Sequence, residues 1–141
     1  MTAAPERVVV HVDGGARGNP GPAGIGIVIT DEEGNVLVRA NDFIGVATNN
    51  EAEYHAVLLG LKRASQLGAR EVEVVNDSQL VARQITGEYR VKKADLKPLH
   101  SQAKAALRGF ERWEVRSVPR EQNEHADELV NDAIDARAPT A

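Results

Sequence analysis

The chain has 141 residues, 42% of them hydrophobic, and a formal net charge of −4, which predicts one globular domain and argues against a protein that coats nucleic acid by bulk attraction. It contains no cysteine, so disulfides and thiolate metal sites are excluded. Its first residues lack the apolar segment of a signal peptide and no stretch is long and apolar enough to cross a membrane, so we expect a cytoplasmic protein.

An apolar strand that runs into a carboxylate and a glycine-rich loop is the first predicted element. The run Val8–Val12 is short and rich in β-branched residues, which favours a strand over a helix. Gly14 and Gly15 are predicted to end this strand directly after Asp13. Because ligands bind at the carboxyl ends of strands in α/β sheets, we expect Asp13 to lie in a binding crevice.

Two further strands and the clearest helix follow. The strands are predicted at 23–30 and 36–44, joined by a glycine-containing turn, so the chain opens with an antiparallel meander. The helix is predicted over 48–67, where small and apolar residues recur at helical spacing. Thr48 and Glu51 form the T-x-x-E pattern of a capping box at its start.

The next strand repeats the placement of a carboxylate at its end. Residues 71–76 alternate in hydropathy and predict a strand that stops before Asp77, followed by a short helix over 78–85. A right-handed crossover through the long helix would make this strand parallel to the first and its neighbour in the sheet. Asp13 and Asp77 would then lie at adjacent strand ends.

The last third of the chain predicts a helix, an edge strand and a final helix. The helix begins near Asp95 and extends to residue 109, and residues 112–118 alternate as in a half-exposed strand. Asn123 is predicted to be the N-cap of the final helix. We therefore predict an N-terminal tail over 1–6, a single domain over 7–136 and a C-terminal tail or linker start over 137–141.

Charge is distributed unevenly along the chain. Residues 1–60 carry 3 basic and 8 acidic side chains (net −5), residues 61–120 carry 13 and 7 (net +6), and residues 121–141 carry 1 and 6 (net −5). The basic segment between the short helix and the next one contains Arg90, Lys92 and Lys93. Such a segment is either a solvated surface or an edge that faces phosphates.

Four acidic side chains have placements that suggest chemistry. Asp13 and Asp77 follow strands, Glu53 lies on the long helix away from its capping pair, and Asp127 lies in the first turns of the final helix. Taken singly, each has an ordinary explanation, such as a helix cap or a surface position. Clustered carboxylates repel unless a hard cation neutralises them, and two such ions can activate water against a phosphodiester. The set therefore predicts metal-dependent phosphodiester hydrolysis.

Four motifs in a fixed order carry a family resemblance. They are V-D-G-G-A-R-G-N-P-G-P-A-G, T-N-N-E-A-E-Y, N-D-S-Q-L-V and N-E-H-A-D-E-L. Together they resemble type I ribonuclease H, in its short bacterial and archaeal form without a basic protrusion, over about Arg7 to Asp135. The resemblance implies an α/β fold of the ribonuclease H type, a five-stranded mixed sheet with helices on both faces.

The resemblance also implies roles for individual residues. Two Mg²⁺ ions, or Mn²⁺, would be held by the carboxylates of Asp13, Glu53, Asp77 and Asp127. Asp13 would be shared between the ions, Asp127 would assist the ion of the attacking water, and the other two would serve the leaving-group ion. The implied contacts to nucleic acid are made by Gly14, Gly15, Asn19, Thr48, Asn49, Asn50 and Gln79. Helix-start positions for Asn49 and Asn50 and a surface position for Gln79 are the ordinary alternatives.

Two features depart from the family pattern. Members with a catalytic histidine carry it on a longer loop before the last helix, whereas this chain has only P-R-E-Q-N there. His125 is two residues from Asp127 on a helix and is predicted to face away from it. Arg120 is therefore predicted to contact the scissile phosphate or to ease product departure. The missing protrusion predicts weaker, more salt-sensitive substrate binding, supported by Arg90, Lys92 and Lys93.

The function that follows is an endoribonuclease that cuts the RNA strand of RNA/DNA hybrids and leaves 5′-phosphate and 3′-hydroxyl ends. We expect a monomer, with double-stranded RNA as a second candidate substrate. One alternative is a non-cleaving module that binds hybrids or duplexes, which the loss of one acid would favour, yet all four acids are present. Another is a DNA-processing nuclease of the same fold, which the T-N-N-E-A-E-Y motif argues against.

Overall fold

The computed structural model describes residues 5–137, which form five strands and four α-helices. The strands are β1 (Arg7–Ala16), β2 (Gly21–Thr30), β3 (Val36–Ala47), β4 (Glu71–Asn76) and β5 (Arg112–Ser117). The helices are α1 (Asn49–Gln66), α2 (Gln79–Thr86), α3 (Lys97–Leu107) and α4 (Glu124–Arg137), and a 3₁₀ turn spans Arg120–Gln122. Residues 1–4 and 138–141 of the predicted tails lie outside the described residues, and the domain boundaries stay a prediction.

The strands form one mixed sheet in the order β3-β2-β1-β4-β5. Strands β1, β2 and β3 pair antiparallel, as the predicted meander requires, and β4 pairs parallel with both β1 and β5. The predicted parallel neighbour of the first strand is therefore confirmed. The half-exposed strand β5 lies at one edge of the sheet, also as predicted.

Strand β1 is longer than predicted, because the glycine pair does not end it. Antiparallel pairing with β2 continues through Gly14–Gly15 to Ala16. Glycine adopts extended backbone readily, and a ladder on one side is sufficient to hold it there. Parallel pairing with β4, however, stops at His11 and Val75. Asp13 therefore lies beyond the end of one neighbouring strand and alongside the other, and the crevice opens on the β4 side.

Helices cover both faces of the sheet, which confirms the predicted fold class. Helix α1 packs on one face, where Gly60 allows the helix backbone to approach Val10 and Val12. Helix α4 packs on the opposite face of β2, where a Cβ on Gly26 would lie 2.6 Å from the carbonyl oxygen of Ala126. Burial of the aliphatic side chains between these layers stabilises the fold by roughly 1.5–3 kcal/mol per fully buried side chain.

The helix starts explain how the site residues are oriented. Thr48 caps α1 and exchanges the two hydrogen bonds of a capping box with Glu51, as predicted. The α2 helix is capped by Ser78, whose hydroxyl accepts a hydrogen bond from the Val81 amide. The Asp77 carboxylate is therefore not used as a cap. Among residues 5–137, no helix combines the length and apolar character needed to cross a membrane.

Candidate active site

Three of the four predicted carboxylates meet at the end of β1. Asp13 on β1, Glu53 on α1 and Asp77 after β4 each offer an oxygen within 4.8 Å of the other two. Asp13 and Glu53 are each only 5% exposed, and Asp77 is half-buried. Three chain segments that are far apart in sequence thus converge on one acidic cluster, which is named the carboxylate trio here.

Gly14 allows Glu53 to reach the cluster. A Cβ at this position would lie 2.3 Å from the backbone carbon and oxygen of Ala52, so only glycine permits α1 to approach β1 so closely. At this contact the Gly14 amide donates a 3.0 Å hydrogen bond to Oε1 of Glu53. Oε2 of Glu53 is buried and has no hydrogen-bond partner among the described residues. One carboxylate oxygen is thus anchored and the other is available.

The trio is electrostatically strained. Burial, followed by repulsion from Asp77 and Asp127, raises the pKa of Asp13 from 3.8 to about 7. Burial and the neighbouring Asp13 raise the pKa of Glu53, and burial also raises the pKa of Asp77. Buried carboxylates that repel one another are stabilised by a hard divalent cation, which prefers oxygen ligands. The available oxygen of Glu53 and the spacing of the trio fit such an ion.

Asp127 lies in the same cavity but outside the trio. Its Oδ1 accepts a hydrogen bond from Nη2 of Arg120 at 3.2 Å. The side chain of Arg120 is 76% exposed and that of Asp127 is 27% exposed. His125 instead lines a separate cavity together with His11, in agreement with its predicted direction away from Asp127.

A groove of about 540 Å³ surrounds these acids. Of the residues predicted to contact nucleic acid, Gly14, Gly15, Asn49 and Asn50 line it. Asn19, Thr48 and Gln79 do not line it. Sequence reasoning did not single out three polar residues that do, namely Arg17, Ser78 and Asn131.

The glycine-rich loop and the start of α1 are joined through asparagines. Oδ1 of Asn49 accepts a 2.8 Å hydrogen bond from the Ala16 amide, and the Asn49 amide donates to Oδ1 of Asn19 at 3.0 Å. Asn19 therefore orients the rim of the groove even though it lies outside the lining. Thr48 remains the helix cap, and Gln79 is exposed at the first position of α2.

Asn123 lies at the N-cap position of α4, as predicted, because it immediately precedes Glu124 and its carbonyl oxygen accepts the Asp127 amide at 3.1 Å. Its side chain, however, does not make the expected capping hydrogen bond. Its side-chain nitrogen Nδ2 donates a 2.8 Å hydrogen bond to the carbonyl oxygen of Val12, and its Oδ1 has no partner within residues 5–137. The amide is 2% exposed. A tertiary contact to β1 has replaced the local capping bond that the sequence pattern predicted.

The basic segment between α2 and α3 is accessible to solvent. Arg90, Lys92 and Lys93 are all exposed. Arg90 also lines a second open cavity of about 620 Å³, together with Lys97 and Lys104. These cations are therefore accessible to an anionic partner.

Comparisons with known proteins agree with this architecture. A family model described as Reverse transcriptase-like matches residues 11–133. A bifunctional protein of Mycobacterium tuberculosis is 48% identical over 136 residues, which are 96% of this chain but only 37% of that protein. Ribonuclease H of Coxiella burnetii is 32% identical, with 91% of this chain and 90% of that protein covered. The crystal structure of LC11-RNase H1 in complex with RNA/DNA hybrid matches with a TM-score of 0.90 and 44% identity, covering 94% of this chain and 99% of that chain.

Proposed function

Because this chain belongs to the type I ribonuclease H family, we propose that it is an endoribonuclease that hydrolyses the RNA strand of RNA/DNA hybrids and leaves 5′-phosphate and 3′-hydroxyl ends. The observation that carries this proposal is the carboxylate trio, with oxygens within 4.8 Å of one another at the floor of an open groove. A structural relative of 44% identity was crystallised with such a hybrid, which supports the substrate class.

The carboxylates are proposed to hold two divalent cations, Mg²⁺ or Mn²⁺. When bound, the ions would supply a nucleophilic water and neutralise charge on the leaving oxygen. Asp13 would contribute to both ions, Glu53 and Asp77 to the leaving-group ion, and Asp127 to the ion of the attacking water. Burial restricts the positions that the Asp13 and Glu53 carboxylates can adopt. Because these carboxylates repel one another, binding of a divalent cation at the site is favoured over leaving the site empty.

The groove rim is proposed to distinguish RNA from DNA. Backbone amides of Gly14 and Gly15 and the side chains of Asn49 and Asn50 line the groove next to the acids. Amide groups can donate to and accept from a 2′-hydroxyl, which only RNA carries. Thr48, Asn19 and Gln79 lie around this surface and are proposed to contact the nucleic-acid strands.

Arg120 is proposed to contact the scissile phosphate or to ease product departure. Its guanidinium is largely exposed, and Asp127 is its ion-pair partner at the groove among residues 5–137. A guanidinium can exchange a carboxylate partner for a phosphate because both present two acceptor oxygens. The short loop before α4 therefore supplies a cation where longer family members supply a histidine.

Arg90, Lys92 and Lys93 are proposed to strengthen binding through the phosphate backbone. Each lost phosphate contact is expected to reduce the slope of log affinity against log salt concentration by about 0.9. Replacing all three by alanine should therefore flatten the salt dependence of KM and raise KM at low salt. An unchanged slope would show that these three residues form a solvated surface and do not contact phosphates.

We further propose that the enzyme acts as a monomer, because this chain by itself supplies all four predicted carboxylates to one cavity and needs none from a second copy. A cytoplasmic location stays a prediction from the sequence. Double-stranded RNA is a second candidate substrate that the same contacts could accept.

The decisive experiment incubates labelled RNA/DNA hybrid, double-stranded RNA and double-stranded DNA with Mg²⁺, Mn²⁺ or chelator, with Asp13→Asn as the matched control. We expect cleavage of the hybrid that requires a divalent ion and is lost in the variant. Hybrid binding without cleavage would favour a binding module. Cleavage of DNA in preference to the hybrid would favour a DNA-processing nuclease.

A further inference from the structure

The side chain of Asn123 joins two parts of the site that are distant in sequence. It lies between the 3₁₀ turn and α4, is 2% exposed, and donates Nδ2 to the carbonyl oxygen of Val12 at 2.8 Å. Val12 immediately precedes Asp13. The backbone carbonyl of Asn123 accepts the amide of Asp127 at 3.1 Å, in the first turn of α4. One residue therefore contacts the backbone next to one predicted ligand and the helical turn that carries another.

This hydrogen bond continues the pairing of β1 beyond the point where its ladder with β4 ends. The parallel ladder between β1 and β4 ends at His11 and Val75, so Val12 is the first residue of β1 beyond it. A buried carbonyl without a partner is strongly disfavoured, and the Asn123 amide satisfies this one. This additional hydrogen bond holds β1 in extended geometry up to Asp13, on the side where pairing with β4 has ended.

The choice of an amide here is informative. Oδ1 of Asn123 is buried and accepts no hydrogen bond among the described residues. If this position served packing alone, an apolar side chain would be more stable there, because burying an unpaired polar oxygen is unfavourable. The hydrogen bond from Nδ2 to Val12 offsets the free-energy cost of burying Oδ1 without a partner. This bond fixes the position of β1 at the site.

Resting on the proposed function, we propose that Asn123 is a positioning residue: its amide sets the distance of Asp13 from Asp77 and from the start of α4, and so prepares the divalent-cation site. It does not contact substrate or metal in this role. Outer residues of metal sites commonly orient the ligands in this way, and losing one typically costs about 10–100-fold in affinity or activity.

The chain provides a matched control. Nδ2 of Asn41 on β3 donates a 2.9 Å hydrogen bond to the carbonyl oxygen of Leu129, so it also holds α4 to the sheet through an asparagine amide. This contact is exposed, and Asn41 does not line the groove. Asn41→Ala removes the same type of bond and the same number of atoms as Asn123→Ala.

The test compares the two variants by steady-state kinetics on hybrid and by calorimetric titration with Mg²⁺ alone. For Asn123→Ala we expect kcat to fall about 10–100-fold, KM for hybrid to stay within about twofold, and the Mg²⁺ dissociation constant to rise about tenfold. Asn41→Ala should keep wild-type values for all three. Equal losses in both variants, or wild-type Mg²⁺ binding by folded Asn123→Ala, would overturn the positioning role.

A second measurement covers the case in which Asn123→Ala does not fold. In the wild-type protein, the Asn123 side-chain amide should shift in ¹⁵N NMR spectra at the same Mg²⁺ concentrations that shift the Asp13 backbone amide, and the Asn41 side chain should not. A silent Asn123 amide contradicts the proposal. Because this arm and the calorimetry need no substrate, they remain decisive even if the protein cuts no hybrid, which would defeat only the proposed function.

Discussion

The active site has a buried half and an exposed half. In the buried half, Asp13 on β1 and Glu53 on α1 are each only 5% exposed. In the exposed half, the side chains of Asp127 and Arg120 are 27% and 76% exposed and form an ion pair with each other. Packing of α1 on β1 in the core sets the geometry of the buried half. The two side chains of the exposed half are joined by one ion pair near solvent, which contributes less than about 1 kcal/mol. The difference indicates that the buried half is preorganised, while Asp127 can leave Arg120 at little cost when a cation or phosphate arrives.

The largest expected effect compares an acid from each half. Asp13→Asn should lower kcat on hybrid by about 10³-fold or more, because it removes the carboxylate assigned to both ions. Asp127→Asn should lower kcat only about 10–100-fold, since this ligand is peripheral to the trio. Single-turnover assays at saturating Mg²⁺ measure both. Equal losses of kcat would show that Asp13 and Asp127 are equally essential, which would contradict the inferred difference between the buried and exposed halves.

The packing that builds the buried half can be tested at Gly14. Gly14→Ala should destabilise the protein by about 3 kcal/mol, because the new Cβ would collide with the α1 backbone at Ala52. Gly15→Ala is the matched control, since its Cβ would meet nothing closer than 3.9 Å and should change stability by less than about 1 kcal/mol. Urea unfolding measures both variants. Similar stabilities would mean that α1 shifts freely and that Glu53 is not anchored by the core.

The strain of the buried half predicts how stability depends on pH. The pKa of Asp13 is raised from 3.8 to about 7 in the folded protein. Its stabilising contribution as a neutral acid is therefore complete below about pH 4 and is lost as the pH rises through 7. Asp13→Asn stays neutral, so without metal it should be more stable than wild type by about 4 kcal/mol at pH 8. The advantage should vanish near pH 4.

Thermal unfolding at several pH values, with and without Mg²⁺, tests this linkage. Mg²⁺ should stabilise the wild type at pH 8 and have little effect on Asp13→Asn. A wild-type protein that is the more stable of the two at pH 8 without metal would contradict the inferred repulsion.

The smallest expected effect concerns the stability of the exposed half. Arg120→Ala should change the free energy of unfolding by less than about 1 kcal/mol, since its ion pair with Asp127 is solvated. The same variant should still lower kcat by about tenfold if Arg120 meets the phosphate. Chemical denaturation and turnover on one preparation separate the two quantities. Unchanged turnover would refute the proposed role of Arg120.

Local signals in the sequence predicted most of the fold. The capping box of Thr48 and Glu51, the alternation of β4 and the periodicity of α1 depend on residues within a few positions of one another. The same signals misjudged Gly14–Gly15 as a strand end, and they placed Asn123 at the start of α4 without giving the partner of its side chain. In both cases a distant element intervened, since β2 holds the glycines extended and Val12 takes the asparagine amide.

The amino-acid sequence by itself determined the order and type of the elements and the identity of the acids, because propensities, caps and turn residues act locally. Only the tertiary structure decided that three acids meet within 4.8 Å while Asp127 pairs with Arg120. It also decided that Asn123 holds a carbonyl 111 residues earlier in the chain. The physical reason is that distances between remote side chains depend on how closely helices approach the sheet, and this approach is set by packing at positions such as Gly14.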